Sequence, residues 1–481
     1  MDSENRASVT IRIFLPVLFL LLVNIAPLPH RYARSLREAR QAEAAGQPAL
    51  AAARLEQAIE LMSWRQDLLE PLARLELEAG REEQALMALR QARQAGQLSI
   101  ESHFTLGEIY LLRGEPEAAL EVWQDLAARP DFAGNALAPR LWEQVYHLER
   151  ARYHWEEAIR ALQFWRSVAP DNTRVLFLLG LHLSATHPDQ ALPLLLEASQ
   201  RDSQYTEPVQ ALRGGINQAS VADDRGYGWV MIGRALGRLK EWDLALLAFD
   251  QAVQASPEYA EAWAFLAEAR YQNGLAPQKA LEKAQALNPQ SVVVQAMRAL
   301  HLRRSGQPGQ AESLLQEVAR QEPDEAIWLV ELGNTLVEKG DLVAARAYFY
   351  QALELEPRSI PILKAVVAFS VQYNVEPRDL GLPVARQLVL LSPEDPESLD
   401  LMGQVLMRLE DLTSAERFLQ QALEKETSFA AAYLHLGQLY LQRDDPTRAL
   451  FCLRQAVALN HDDTVGSIAR RLLLRYFNEG G

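Results

Sequence analysis

The stretch Trp229–Pro257, WVMIGRALGRLKEWDLALLAFDQAVQASP, decides between a single compact domain and a unit used many times. Its apolar residues recur three and four positions apart in two successive blocks, which is the period of amphipathic helices. Gly233 and Ala245 are small and allow two helix axes to approach closely. Pro257 ends the second block because proline has no backbone N–H to donate. The stretch therefore predicts two helices joined by a tight turn.

The same pattern recurs about every 34 residues along the chain. With Gly226 as position 1, a small residue falls at position 8, alanine at positions 20 and 27, and proline often at position 32. Glycine often occupies position 15, where its left-handed conformation ends the first helix at little cost. The glycines at position 15 are Gly46, Gly80, Gly114, Gly274, Gly306 and Gly340. The copies begin at Tyr32, Gln66, Ile100, Pro139, Thr173, Gly226, Ala260, Val292, Ala326, Ile360, Pro396 and Ala430.

These copies determine the expected fold class. One hairpin cannot bury its own apolar face, so neighbouring hairpins must stack and share a core. We predict an all-α array of about twelve helix-turn-helix units. Its domains are a tail and anchor or signal segment at 1–31, a first array of about five repeats at 32–205, an extra helix and loop at 206–225, a second array of about seven repeats at 226–463, and a capping helix and tail at 464–481. The extra helix and loop form either a joint between the two arrays or a decayed half-repeat.

The composition and charge of the chain exclude several classes of protein and of binding partner. The chain has 481 residues, 49% of them hydrophobic, which is sufficient for a large core and excludes a disordered chain. The formal net charge of −15 argues against a nucleic-acid partner, which needs a positive face. The single cysteine, Cys452, permits neither an internal disulfide nor a cysteine-based metal cluster.

The N-terminal segment 9–29, VTIRIFLPVLFLLLVNIAPLP, is the most apolar part of the chain. Its uninterrupted apolar run, Ile13–Val23, is short for a membrane span, which needs about 20 residues. The segment is either an uncleaved single-pass anchor or a signal peptide. We favour the anchor because Ala26 is followed by proline and no good cleavage site is found. The predicted location is therefore the membrane, with a lipid bilayer contacted through 9–29 and the side of the body left open.

Motifs of catalysis are missing from the sequence. It contains no GxxxxGK[ST], GxGxxG, GxSxG or HExxH pattern. The run His461-Asp462-Asp463 falls at a turn of the repeat and has no further metal-binding elements around it. We therefore predict no enzyme, no cofactor and no metal site.

The repeat pattern resembles the tetratricopeptide repeat family over about 32–463. The resemblance implies a right-handed α-solenoid with a concave groove that is lined by the first helices and binds protein partners or extended peptide segments. In this family positions 2, 5, 9, 12 and 13 face the groove. The candidate groove contacts are then Phe104, Phe177, Val230, Arg234, Val330, Asn334 and Lys364.

An alternative for the apolar candidates is that they pack between adjacent repeats. Some family members grip a peptide carboxylate with lysine and asparagine, but Asn334 and Lys364 belong to different copies, so we predict no such clamp. The expected function is a non-catalytic, membrane-anchored scaffold for protein–protein interaction. The alternative is an accessory subunit of an envelope polysaccharide or secretion and assembly enzyme complex.

Overall fold

The computed structural model describes residues 27–460 and 464–478. These residues form 26 α-helices and three single-turn helices at Gln66–Leu68, Ser203–Tyr205 and Pro377–Gly381, with no strand among them. The predicted all-α class and the twelve helix hairpins are confirmed. The hairpins are α1 Pro27–Ala44 with α2 Pro48–Leu61, α3 Leu69–Glu78 with α4 Glu82–Gln94, α5 Ile100–Leu112 with α6 Pro116–Ala127, α7 Ala138–Ala151 with α8 Trp155–Val168, α9 Thr173–Ser184 with α10 Pro188–Arg201, α12 Arg225–Arg238 with α13 Trp242–Ala255, α14 Ala260–Gln272 with α15 Gln278–Leu287, α16 Val292–Arg304 with α17 Pro308–Gln321, α18 Ala326–Glu338 with α19 Leu342–Leu355, α20 Ile360–Tyr373 with α21 Leu382–Leu391, α22 Pro396–Arg408 with α23 Leu412–Lys425, and α24 Ala430–Gln442 with α25 Pro446–Leu459. Two helices stand outside the hairpins, α11 Thr206–Ser220 and α26 Thr464–Phe477.

Position 15 of the repeat has a positive φ in eleven of the twelve hairpins, with values from +54° to +82°. In six hairpins the residue is glycine, as the sequence pattern predicts. In the other five it is Tyr153, Lys240, Asn374, Glu410 or Asp444. The hairpin α9–α10 differs because its first helix has 12 residues, one fewer than α5, so that position 15 falls on His187, which directly precedes α10 and has a φ of −139°. The spacing of the repeat therefore determines the left-handed turn even where the residue is not glycine.

The small residue at position 8 sets the distance between the two helices of a hairpin. A Cβ atom on Gly437 would lie 2.7 Å from Cδ2 of Leu453, and one on Gly180 would lie 2.8 Å from Cγ of Leu195. Real Cβ atoms do not approach other atoms so closely. Glycine at position 8 therefore lets the second helix of each of these hairpins pack directly on the backbone of the first.

The chain packs as two compact units. Unit 1 contains the described residues up to Val221 together with Met231–Leu247, and unit 2 contains Ala222–Val230 and the described residues from Ala248 onwards. In unit 1, α11 packs on α10. A Cβ atom on Gly215 of α11 would lie 2.9 Å from the carbonyl oxygen of Met231. The role of 206–225 as a joint between two arrays stays a prediction, as do the other predicted domain limits.

Helix α26 covers the end of the last hairpin in unit 2. Ala469 and Leu473 are buried against Leu434 and Leu453, and Arg471 is exposed. Helices that cap repeat arrays carry a polar outer face, and the capping role of 464–481 stays a prediction.

The prediction of a single-pass membrane anchor is wrong. Within the described ranges, no helix has the length and apolar character that crossing a bilayer requires. Residues 9–26 lie outside those ranges, and 27–29 are the start of α1. The apolar run Ile13–Val23 is about half as long as the roughly 20 residues of a spanning helix. The predicted bilayer contact and membrane location are therefore unsupported. The run His461-Asp462-Asp463 also lies outside the described residues.

Candidate functional site

The first helices of the middle repeats in unit 2 are joined by an ion-pair network. Arg304 binds Glu268 through both carboxylate oxygens, with Nη1–Oε2 at 2.5 Å and Nη2–Oε1 at 3.0 Å. Arg303 donates from Nη2 to Oε2 of Glu331 at 2.9 Å and from Nη1 to Oε1 of Glu338 at 3.3 Å. Burial raises the pKa of the Glu331 carboxyl, although the two arginines oppose the rise. These residues form ion pairs across α14, α16 and α18, so this part of the first-helix surface is occupied by the chain itself.

The last three hairpins of unit 2 are different, because their first helices enclose a cavity of about 800 Å³. Helices α20, α22 and α24 form its walls, and Ile468 of α26 also lines it. Most of its lining side chains hold position 6, 9, 12 or 13 of their repeat. The lining residues are Ala368, Val371, Gln372, Asn374, Leu401, Gln404, Met407, Arg408, Glu410, His435, Gln438, Gln442 and Ile468. We call this space the C-terminal cavity.

Side-chain amides are the main polar groups of the C-terminal cavity. Nε2 of Gln404 donates to Oδ2 of Asp400 at 2.8 Å. The side-chain amides of Gln438 and Gln442, one turn apart on α24, form no hydrogen bond to another residue of the described chain. Each of these two amides offers two donors and an acceptor. Arg408 is held at the wall by a 2.9 Å hydrogen bond from Nε to the carbonyl oxygen of Val371.

A buried carboxylate orients the histidine of the cavity. Asp400 is 3% exposed, and its Oδ1 lies 2.7 Å from Nδ1 of His435. Since a carboxylate accepts hydrogen bonds, Nδ1 carries the proton and donates it. In the neutral form of the ring, Nε2 is then the acceptor. Asp400 thus ties together α22 and α24 and determines which ring nitrogen of His435 accepts.

The apolar groove candidates make contacts within the chain. Phe104 is 2% exposed and stacks on Trp123, with ring centroids 5.9 Å apart. Val230 and Val330 are buried. Phe177 is half-buried and stacks on Tyr205 at 4.5 Å. These positions are consistent with the alternative of packing between elements, and a ligand contact by any of them stays a prediction.

The polar candidates lie on three separate helices. Arg234 is exposed on α12, and Asn334 is half-buried on α18. Lys364, on α20, forms ion pairs of 2.8 Å with Asp395 and 2.6 Å with Glu397. Lys364 lies one turn before Ala368 but is not part of the cavity wall. Arg234 belongs to unit 1, whereas Asn334 and Lys364 belong to unit 2.

The cavity residues were not predicted from the sequence, because their only pattern along the chain is a recurrence of amide side chains. Gln404 and Gln438 both hold position 9, and Gln372 and Gln442 both hold position 13. Recurring amides at these positions were the available signal. The sequence does not show that three consecutive first helices leave space between them, or that Ile468 of α26 lines it.

Unit 1 has a smaller cavity of about 530 Å³, lined by Arg90, Arg93 and Arg129 among others. Its charges are paired internally. Arg93 donates to Glu121 at 2.8 Å and to Asp125 at 2.5 Å. The guanidinium groups of this cavity are therefore less available to a ligand than the amides of the C-terminal cavity.

Twelve hairpins, eleven of them with a left-handed turn residue at position 15, define an α-helical repeat protein with a candidate binding cavity on its first helices. Family models described as tetratricopeptide repeat match residues 71–134, 230–291, 296–360 and 406–471. The matched ranges together span more than half of the chain. The chain therefore belongs to the tetratricopeptide repeat family.

The individual proteins that match this chain have a low sequence identity to it. The TPR repeat-containing protein PA4667 of Pseudomonas aeruginosa is 28% identical over 163 residues, which is 33% of this chain and 27% of that protein. The structure of the APC/C hetero-tetramer Cut9-Hcn1 contains a chain that is 14% identical, with 94% of this chain and 99% of that chain covered and a TM-score of 0.43. Yeast Tom70 is 13% identical, with 92% and 94% covered and a TM-score of 0.41. At these identities the structural likeness concerns the fold alone.

Proposed function

We propose that the protein is a non-catalytic scaffold that binds an extended segment of a partner protein in the C-terminal cavity. The observation that carries this proposal is the pair Gln438 and Gln442, whose amides line the cavity and bond to no other described residue. Side chains four residues apart on a helix lie about 6 Å apart. Peptide groups that face the same way in an extended chain repeat at about 6.7 Å. The two amides can therefore pair with the backbone of such a segment.

Apolar side chains provide the rest of the contact. Val371, Leu401 and Met407 line the cavity beside Ile468. A volume of about 800 Å³ is within the usual range of a ligand pocket. Methionine is flexible and adapts to differently shaped apolar groups. The segment would place its apolar side chains on this surface, and the amides would hold its backbone.

Two further observations support a protein partner. Repeat arrays of this class present extended surfaces to other chains, and the family match covers the last of the three hairpins that form the cavity and the second helix of the hairpin before it. Hydrogen bonds from amides and apolar contacts are sufficient for binding, so the proposal needs neither a cofactor nor a metal.

A peptide library tests the proposal. The full chain is used to select binders from a phage-displayed library of random dodecapeptides, and the affinity of the enriched peptides is measured by calorimetry. The variant Gln438→Ala/Gln442→Ala should bind them about 10- to 30-fold more weakly, since each lost hydrogen bond contributes about 1 kcal/mol. The matched control is Gln420→Ala/Gln421→Ala on α23, outside the cavity lining, which should bind as the parent does.

Two outcomes contradict the proposal. One is a library that yields no peptide above the background of an immobilised unrelated helical protein. The other is a set of peptides that bind the cavity variant and the control variant equally well, which would place their site elsewhere.

A further inference from the structure

Arg150 makes a contact that an ordinary repeat array does not contain. It lies on α7, and its Nε donates to Oδ2 of Asp243 at 2.7 Å, 93 positions away in the sequence. Its Nη2 donates to Oδ1 of Asp243 at 2.9 Å and to Oε2 of Glu241 at 2.5 Å. In a solenoid each repeat contacts its neighbours, as Arg140 and Glu108 do at a separation of 32. The Arg150 contact instead joins the fourth hairpin to the sixth, and the hairpin α9–α10 and helix α11 lie between them in the sequence.

The contact is largely buried and is supported by further hydrogen bonds. The side chains of Arg150, Glu241 and Asp243 are 23%, 26% and 19% exposed. Nη1 of Arg150 also donates to the hydroxyl of Tyr146 at 3.1 Å, and Oδ1 of Asp243 accepts the backbone N–H of Leu244 at 2.9 Å. A bidentate guanidinium–carboxylate pair of this kind fixes both position and orientation. We call Arg150, Glu241 and Asp243 the latch.

A buried histidine lies against the latch. His182 of α9 is 1% exposed, and its ring packs edge-on to Tyr146 with centroids 5.2 Å apart. Its Nδ1 donates to the carbonyl oxygen of Leu178 at 2.9 Å, and its buried Nε2 has no hydrogen-bond partner in the described chain.

The charged groups around His182 come from two elements. Arg150 of α7 disfavours a proton on the imidazole, and Asp243 of α13 favours it. Tyr146 of α7 and the indole of Trp155 on α8, at 6.3 Å, are uncharged neighbours. Burial is the largest influence and holds the pKa of His182 down to about 4.

We infer that the latch holds the fourth hairpin against the turn before α13, and that protonation of His182 opens the latch. A proton on this imidazole adds a second positive charge beside Arg150, with a new N–H at Nε2 that has no acceptor. Opening lets water solvate both cations, so acid favours the open form. The inference concerns unit 1 and is independent of the C-terminal cavity in unit 2.

Distance measurements between spin labels test the latch. The labels are attached at Glu156→Cys on α8 and Arg238→Cys on α12, in a Cys452→Ala background. At pH 7.5 the parent should show one narrow distance distribution. Arg150→Glu should add a second population, and Arg150→Glu/Asp243→Arg should remove it by restoring the pair with reversed charges. The isosteric variant Glu241→Gln/Asp243→Asn, which leaves packing volumes unchanged, should also broaden the distribution.

The acid response is measured with the same labels at pH 4.5. The parent should then show the second population, while His182→Phe, which keeps an aromatic ring but cannot bind a proton, should keep the single one. A single population in both Arg150→Glu and Glu241→Gln/Asp243→Asn at pH 7.5 would overturn the latch. Equal broadening of the parent and His182→Phe at pH 4.5 would overturn the role of His182.

Discussion

The side chain of Trp123 lies directly on the backbone of Gly107, so that a Cβ atom at Gly107 would stand 2.1 Å from Nε1 of the indole. Trp123 is fully buried, and its Nε1 donates to the carbonyl oxygen of Phe104 at 3.2 Å. The contact shows how a small residue at position 8 and a large one at position 24 determine the spacing of one hairpin. It also provides a sharp test of the repeat rule.

We expect Gly107→Ala to lower the free energy of unfolding by about 1–3 kcal/mol, the usual result of overpacking a core. Gly214→Ala on α11 is the matched control, because no atom lies within 4 Å of the added Cβ. The control should be neutral or more stable by up to about 1 kcal/mol, since alanine is the better helix former. Denaturant unfolding followed by circular dichroism measures both, and equal effects of the two substitutions would contradict the packing argument.

Glu410 should be a site where glycine increases stability. It is exposed and holds a φ of +65° at position 15 of its repeat. A residue with a Cβ atom is strained there by about 1–2 kcal/mol. Glu410→Gly should therefore raise the free energy of unfolding by about 1 kcal/mol, whereas Glu410→Ala, which keeps the Cβ atom, should not. Thermal or urea unfolding of the two variants separates the backbone effect from the loss of the carboxylate.

His182 should make the stability of unit 1 depend on pH. Its pKa is about 4 in the folded chain, below the usual 6.5 of an unfolded histidine. Above pH 6.5 both states are neutral, and the contribution to stability is fully present. Between pH 6.5 and 4 the unfolded chain binds a proton that the folded chain does not, so stability falls by up to about 1.4 kcal/mol per pH unit.

A titration by proton NMR measures that pKa directly. The imidazole signal of His182 is identified as the one missing from His182→Phe. A midpoint near 4 and a weaker pH dependence of unfolding in His182→Phe agree with the expected burial. A midpoint near 6.5 would mean that this imidazole is solvated.

The pair Arg304–Glu268 should show strong coupling in a double-mutant cycle. Both side chains are mostly buried, at 22% and 14% exposure. Arg304→Met leaves the carboxylate of Glu268 without its bidentate donor and should destabilise the chain by about 2 kcal/mol, while Arg304→Met/Glu268→Met should cost less than the sum of the single changes. Additive single effects in urea unfolding would show that the pair contributes little.

The local rules of this fold can be predicted from the sequence because each depends on contacts within one hairpin. The period of apolar residues, the glycine at position 15 and the small residue at position 8 recur with constant spacing, and steric exclusion acts the same way in each copy. Even Lys240 and Glu410 adopt the left-handed turn conformation, because it lets the next backbone N–H donate to a carbonyl of the first helix, Glu241 to Leu236 and Asp411 to Leu406. The membrane prediction failed because it relied on hydrophobicity over a run too short to span a bilayer.

The site depends on contacts between hairpins, and the sequence of a single repeat does not show those contacts. Position 5 of the repeat holds buried residues such as Val330, and the C-terminal cavity arises only where α20, α22, α24 and Ile468 meet. The latch from Arg150 to Asp243 passes over a whole hairpin. The sequence by itself determined the hairpins, because their geometry is local. Only the tertiary structure decided which polar side chains stay free and which meet, because that depends on how successive hairpins stack.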